Sequence, residues 1–267
     1  MLYLQCIALA ACSLGLTAQP TLDVGYRQMY NLEFTEAHKT FAEWIHQHPA
    51  DPLGPASDAA AYLFSELDRL HILQGEFFLH DDNFRTRQKL SVDPAIAKAF
   101  REQLAQSTAL ASKILSVEPA NANALFACTL ALGLQSDYDA LIEKRYLSSL
   151  SATRQSRIFA EKLLLINPNF HDAWIAVGIE NYLLSLKPMP VRWILQLSGN
   201  KADKTTGIEK LRITADKGRY FKPFAELMLA VVALRDNNKP QARIILEKLS
   251  KEFPKNHLYQ QELSRLQ

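Results

Sequence analysis

Three small groups of side chains in this 267-residue sequence are of the types that do chemistry: His80, Asp81 and Asp82 in a row, Asp137 with Asp139, and His46 with His48. A metal site on one helix needs imidazoles about a turn apart, on the same face. His46 and His48 are two residues apart and diverge, and His80 has no second histidine at helical spacing. The sequence contains no Gly-x-Ser-x-Gly, no His-Glu-x-x-His and no glycine-rich phosphate loop. Carboxylates that work as an acid–base pair converge only in space. His80, Asp81, Asp82, Asp137 and Asp139 are therefore the polar residues open to one reading, an envelope enzyme or small-ligand receptor with a site formed by inserted segments. The preferred reading is binding without catalysis, with no catalytic residue, no metal and no cofactor expected.

Charge narrows the partners. The formal net charge of +2, from 30 basic and 28 acidic residues, offers nucleic acid no field to bind. The charge is unevenly placed: residues 1–134 carry a net −5 and residues 135–267 a net +7. Nine basic residues against three acidic ones fall in 187–222, among them Arg192, Lys201, Lys204, Lys210, Arg212, Lys217, Arg219 and Lys222. This stretch reads either as a solvated helix face or as a basic patch for an acidic protein, anionic lipid or polysaccharide.

The N-terminus predicts export. Residues 1–18 hold no charged side chain, are rich in Leu, Ile and Ala, and end in Leu16-Thr17-Ala18 before Gln19-Pro20. That is the pattern of a cleaved signal peptide, leaving a single periplasmic or secreted domain over 19–267. Leu9-Ala10-Ala11-Cys12-Ser13 also resembles a lipobox, in which Cys12 is lipidated and anchors the chain to a membrane. The short apolar run around Trp193, next to Arg192, offers a second route to a membrane interface. A buried helix accounts for that run equally well. Of three cysteines, Cys6 goes with the leader and Cys128 sits in an apolar run, so no intramolecular disulfide is expected.

The elements that must position all these residues are helices. With 48% hydrophobic residues, nine glycines, abundant Ala and Leu and few β-branched runs, the chain is expected to be all-α. Four segments end alike: Ala37 and Phe41 before His48-Pro49, Ser107 and Ala111 before Glu118-Pro119, Ser156 and Ala160 before Asn167-Pro168, Ala242 and Leu246 before Phe253-Pro254. In each, a small residue stands 12 positions before the proline. This resembles the second helix of the tetratricopeptide repeat, or TPR, where a small residue permits close packing and proline ends the helix. Trp174 and Gly178 match the first helix of that repeat, as do Gly25, then Phe34 and Ala37, in the N-terminal one and Ala59 and Tyr62 in the second. Thr21, Leu125 and Glu226 depart from the family pattern.

The prolines are separated by 70, 49 and 86 residues, not by multiples of the repeat length. Inserts are therefore placed at about 74–93, 135–152 and 187–206, each after the first helix of a pair. The resemblance implies a TPR-like α-solenoid of about five helix pairs, with inserts and a C-terminal capping helix carrying Leu258, Leu263 and Leu266. It also implies that first helices line a concave groove. Tyr26, Met29, Tyr30, Phe126, Leu130, Ile175, Ile179 and Tyr182 fall there, and the Lys, Asn and Arg set of carboxylate-clamp TPR domains does not. An apolar groove calls for an occupant. Either a protein or peptide partner enters it, or the inserts fold inward with Phe77, Phe78, Leu79, Phe84 or the Trp193 segment. Nothing in the sequence sets the oligomeric state.

Overall fold

Four turns of one geometry punctuate the chain. At each Xaa-Pro step the residue before proline ends a helix, its N–H bonded four residues back: His48 to Trp44, Glu118 to Ile114, Asn167 to Leu163, and Phe253 to Leu249. Its carbonyl then accepts from the residue three ahead, Asp51, Asn121, Phe170 and Asn256, at 3.0 to 3.1 Å. Proline has no N–H for the next helical rung, which is why the helix stops at the same register each time. The small and bulky residues that mark these helices, Ala37 and Phe41, Ser107 and Ala111, Ser156 and Ala160, Ala242 and Leu246, are all buried.

The computed structural model describes residues 21–73, 91–186 and 203–266. Cys12, His80, Asp81, Asp82, Arg192, Trp193, Lys201 and the 77–84 aromatics lie outside them. Among the described residues all regular structure is helical: α1 Leu22–Tyr30, α2 Phe34–Gln47, α3 Leu53–Arg69, α4 Pro94–Val117, α5 Ala122–Asp137, α6 Tyr146–Ile166, α7 Trp174–Ser185, α8 Lys204–Lys217, α9 Lys222–Arg235, α10 Lys239–Glu252 and α11 His257–Arg265. Helices consecutive in sequence pack on one another along the chain, and α3 also packs on α5 and α1. Short polar residues start many of them: Thr21, Asp93, Asn121, Asp203, Asn238 and Asn256 each accept an N–H of the first turn.

The segment expected as an insert over 135–152 is mostly helical. α5 runs on to Asp137, a π-helical turn Tyr138–Glu143 follows, and Lys144, at φ 57°, reverses the chain into α6. Asp139 fixes this corner. Its carboxylate accepts from the Arg145 guanidinium at 2.5 Å and from Ser148 Oγ at 2.5 Å, and its carbonyl accepts from Arg145 N–H. The C-terminal tail forms α11 as expected, with Leu258 buried and Leu263 and Leu266 packed against the core.

The two ends of the chain meet. The Asp23 carboxylate of α1 pairs with Arg219, Arg27 donates to the Glu252 carbonyl, Tyr30 Oη donates to the Tyr220 carbonyl, and Asn256 donates to the Tyr30 carbonyl. Phe64 of α3 also meets Phe224 of α9, ring centroids 5.9 Å apart. Such close approaches constrain the glycines unequally. A Cβ on Gly207 would lie 2.6 Å from the Tyr182 backbone nitrogen, whereas one on Gly133 would touch nothing nearer than Ser156 Oγ at 3.8 Å. Gly207→Ala is therefore expected to destabilise the protein by about 2 kcal/mol through overpacking. Gly133→Ala is expected to stabilise it by up to about 1 kcal/mol through helix propensity. Urea midpoints of the two variants check the opposite signs.

Candidate functional site

The apolar residues expected to line a groove are core residues. Tyr26, Met29, Tyr30, Phe126, Leu130, Ile175 and Tyr182 are buried, and Ile179 is half-buried against them. Among the described residues, the Tyr220-Phe221 corner before α9 and Phe253 from the end of α10 pack against them. The Tyr26 ring lies 5.0 Å from Tyr220 and 5.8 Å from Phe221, Phe126 lies 5.8 Å from Phe221, and Tyr30 lies 5.7 Å from Phe253. Burial raises the Tyr26, Tyr30 and Tyr259 hydroxyls well above the ordinary phenol range and pushes Tyr220 up to about 12. These are neutral, structural tyrosines.

Asp172 holds that corner in place. Its carboxylate accepts from the backbone N–H groups of Arg219 at 2.9 Å, Tyr220 at 3.1 Å and Phe221 at 2.8 Å. Burial pushes its carboxyl above the usual carboxylate range, with the three N–H bonds and Arg219 pulling the other way. Gly218 precedes the corner, and a Cβ there would lie 2.5 Å from the Thr214 carbonyl and 2.9 Å from Asp172 Oδ1.

Three of the six described residues of the predicted basic patch are paired with carboxylates. Lys204 pairs with Asp236 and Arg219 with Asp23, while Lys210 pairs with Glu209 and lies 4.5 Å over the Trp174 ring. Arg212 and Lys217 are exposed and Lys222 is half-buried. The described part of the predicted patch is thus interleaved with carboxylates and is not a single-sign surface. Asp137 and Asp139 separate in the same way. Asp139 is spent on the Arg145 corner, whereas Asp137 is half-buried and raised by burial to about 7.

Sequence reasoning did not find a cleft of about 430 Å3 where the C-terminal end of α3 meets the start of α11. Asp68, Arg69, His71 and Leu73 line it from one side, and His257, Leu258 and Gln261 from the other. Asp68 is half-buried, and burial raises its carboxyl although His257 and His71 act to lower it. Arg69 is held by its neighbours: both Glu66 carboxylate oxygens accept from the guanidinium, at 2.7 and 2.6 Å, and the Ser91 carbonyl accepts at 2.8 Å. The lining residues are nearly 190 positions apart in sequence, so no local motif announces them. Compared with protein-family models and with curated proteins, the chain matches none.

Asp172→Ala would leave three N–H groups without their acceptor, and a buried unsatisfied group costs roughly 1–3 kcal/mol. The expected loss in urea unfolding is about 3 kcal/mol or more, with the near-ultraviolet signal of Tyr220 and its neighbours weakened. Asp137 gives a second expectation with a definite sign. Its folded-state value lies above the unfolded one, so the folded protein holds an extra proton and stability falls as pH rises from about 4 to about 7. Asp137→Asn removes that slope. Thermal melts should show the variant close to wild type at pH 4 and more stable by about 2 kcal/mol at pH 8.

Proposed function

We propose that the protein is an exported, TPR-like helical-repeat scaffold that binds a protein partner and does no chemistry of its own. The four matched helix ends support the repeat reading, and the uncharged leader supports export. Because the inner apolar face is used up in the core, recognition falls to the outer surface. The observation that carries this is the pair of residues three and two positions before each terminal proline. In the first and last repeats these are polar, His46-Gln47 and Lys251-Glu252; in the two middle repeats they are Ser116-Val117 and Leu165-Ile166.

Val117 is 83% exposed and Leu165 85%. Equivalent positions of neighbouring repeats come side by side along one edge of a repeat stack, an arrangement that would gather these apolar side chains where the outer repeats keep polar ones. Clustered exposed apolar surface marks a contact site. Leu147, 86% exposed, and Ile158 precede Leu165 by 18 and 7 residues, which sets all three on one line along α6. A line of this kind suits an apolar face of a partner helix. Exposed Arg212 and Lys217 on α8 would add attraction for an acidic partner.

The test is Val117→Glu combined with Leu165→Glu, both at exposed positions that leave the core untouched. Far-ultraviolet dichroism and melting temperature should stay at wild-type values. Recovery of crosslinked protein partners from the native envelope, quantified by mass spectrometry, should fall tenfold or more. Equal recovery by a folded double variant overturns the reading.

A further inference from the structure

The cleft between α3 and α11 has an electrostatic character of its own, independent of the partner surface on α4 and α6. The charged groups facing it are Asp68 and Arg69 from α3, with the imidazoles of His71 and His257 on either side. Arg69 is neutralised by the buried Glu66 carboxylate, which grips it through two hydrogen bonds. Among the described residues no group hydrogen-bonds or ion-pairs with the Asp68 carboxylate, which supplies the negative charge of the cleft at neutral pH.

The backbone acts in the same direction on the α3 side. Leu70 N–H turns back to the Glu66 carbonyl and His71 N–H to the Asp68 carbonyl, closing the helix C-terminus at the cleft. A helix C-terminus carries partial negative charge and favours a cation. Across the cleft, α11 begins at His257, and the Leu258 N–H of its first turn is taken by the Asn256 side chain at 3.1 Å. Leu73 and Leu258 supply apolar wall, and Gln261 supplies an amide. A volume of about 430 Å3 falls in the range of small-molecule sites.

We propose that this cleft binds a small organic cation, an amine or guanidinium on a short carbon chain, with its charge on the Asp68 carboxylate and its methylenes against Leu73 and Leu258. Burial raises the Asp68 carboxyl, and a bound cation adds to the opposing effect of His257 and His71. An anion of the same size would meet the Asp68 carboxylate and the carbonyl end of α3.

The experiment is isothermal titration of the mature protein at pH 8 with agmatine and cadaverine as cationic probes and succinate as the anionic one. At least one cation should bind saturably at one site, and succinate should not. Asp68→Asn, which removes a poorly hydrated charge and keeps the side-chain shape, should weaken the cation tenfold or more. Should that variant fail to fold, His257→Lys, at an exposed position, sets a fixed positive charge beside Asp68 and should weaken binding by as much. No saturable binding of either cation, equal binding of succinate, or unchanged affinity in the folded variant overturns the proposal. The Val117→Glu, Leu165→Glu double variant should bind the cation as wild type does, which separates this site from the partner surface.

Discussion

Asp172 accepts three consecutive backbone N–H groups, those of Arg219, Tyr220 and Phe221, and so fixes the one corner from which two aromatic rings enter the centre of the molecule. Its availability for this task traces to a departure in the repeat. At the other three Xaa-Pro turns the second residue after proline is Asp51, Asn121 or Asn256, and its side chain caps the helix that follows. After Pro168 that position is Phe170, whose ring packs 4.7 Å from Phe126. The chain enters α7 through a short 3-10 turn, His171–Ala173, and the carboxylate two residues on is free to reach across to the corner. One exchanged cap residue thus gives both an extra core ring and the anchor for Tyr220 and Phe221.

The anchored corner changes the kind of molecule this is. In an open helical array each repeat contacts its neighbours and stability is close to a sum of local terms. Here α1 contacts residues 219 to 256 through a hydrogen bond from Tyr30, a carbonyl held by Asn256 and an exposed ion pair from Asp23. The exposed pair contributes little by itself. The buried aromatic contacts among Tyr26, Tyr30, Phe126, Tyr220, Phe221 and Phe253 carry the closure, since rings of this size dominate core energetics. Another buried tie, the Arg157 guanidinium with the Glu180 carboxylate, fastens α6 to α7. It is of the type that costs most when one partner is removed, because the other charge is left buried and unpaired.

The helices were legible from residue types because their signals are local. Proline 12 positions after a small residue and an abundance of Ala and Leu each act within a few turns of chain, and the turns at 49, 119, 168 and 254 follow them in register. The expected groove failed as an open surface for the opposite reason. Nothing near Tyr26 or Phe126 in sequence signals that Tyr220 and Phe221 arrive from about 95 to 195 residues away. The basic stretch misled similarly: counting Lys204 and Arg219 by sequence window misses Asp236 and Asp23, which neutralise them from other elements. Asp68, His71 and His257 were overlooked because each is unremarkable alone and becomes a cleft only when α11 docks at the end of α3.

Closure by distant segments also sets the order in which the chain can become whole. α1 is among the first structure to be synthesised, yet the corner that covers Tyr26 and the turn that holds the Tyr30 carbonyl are made some 190 to 225 residues later. At roughly 10 residues per second, that is about 20 s during which Tyr26 and Tyr30 have no lid. The nascent protein is thus kept from locking its core until residues 219 to 256 have emerged.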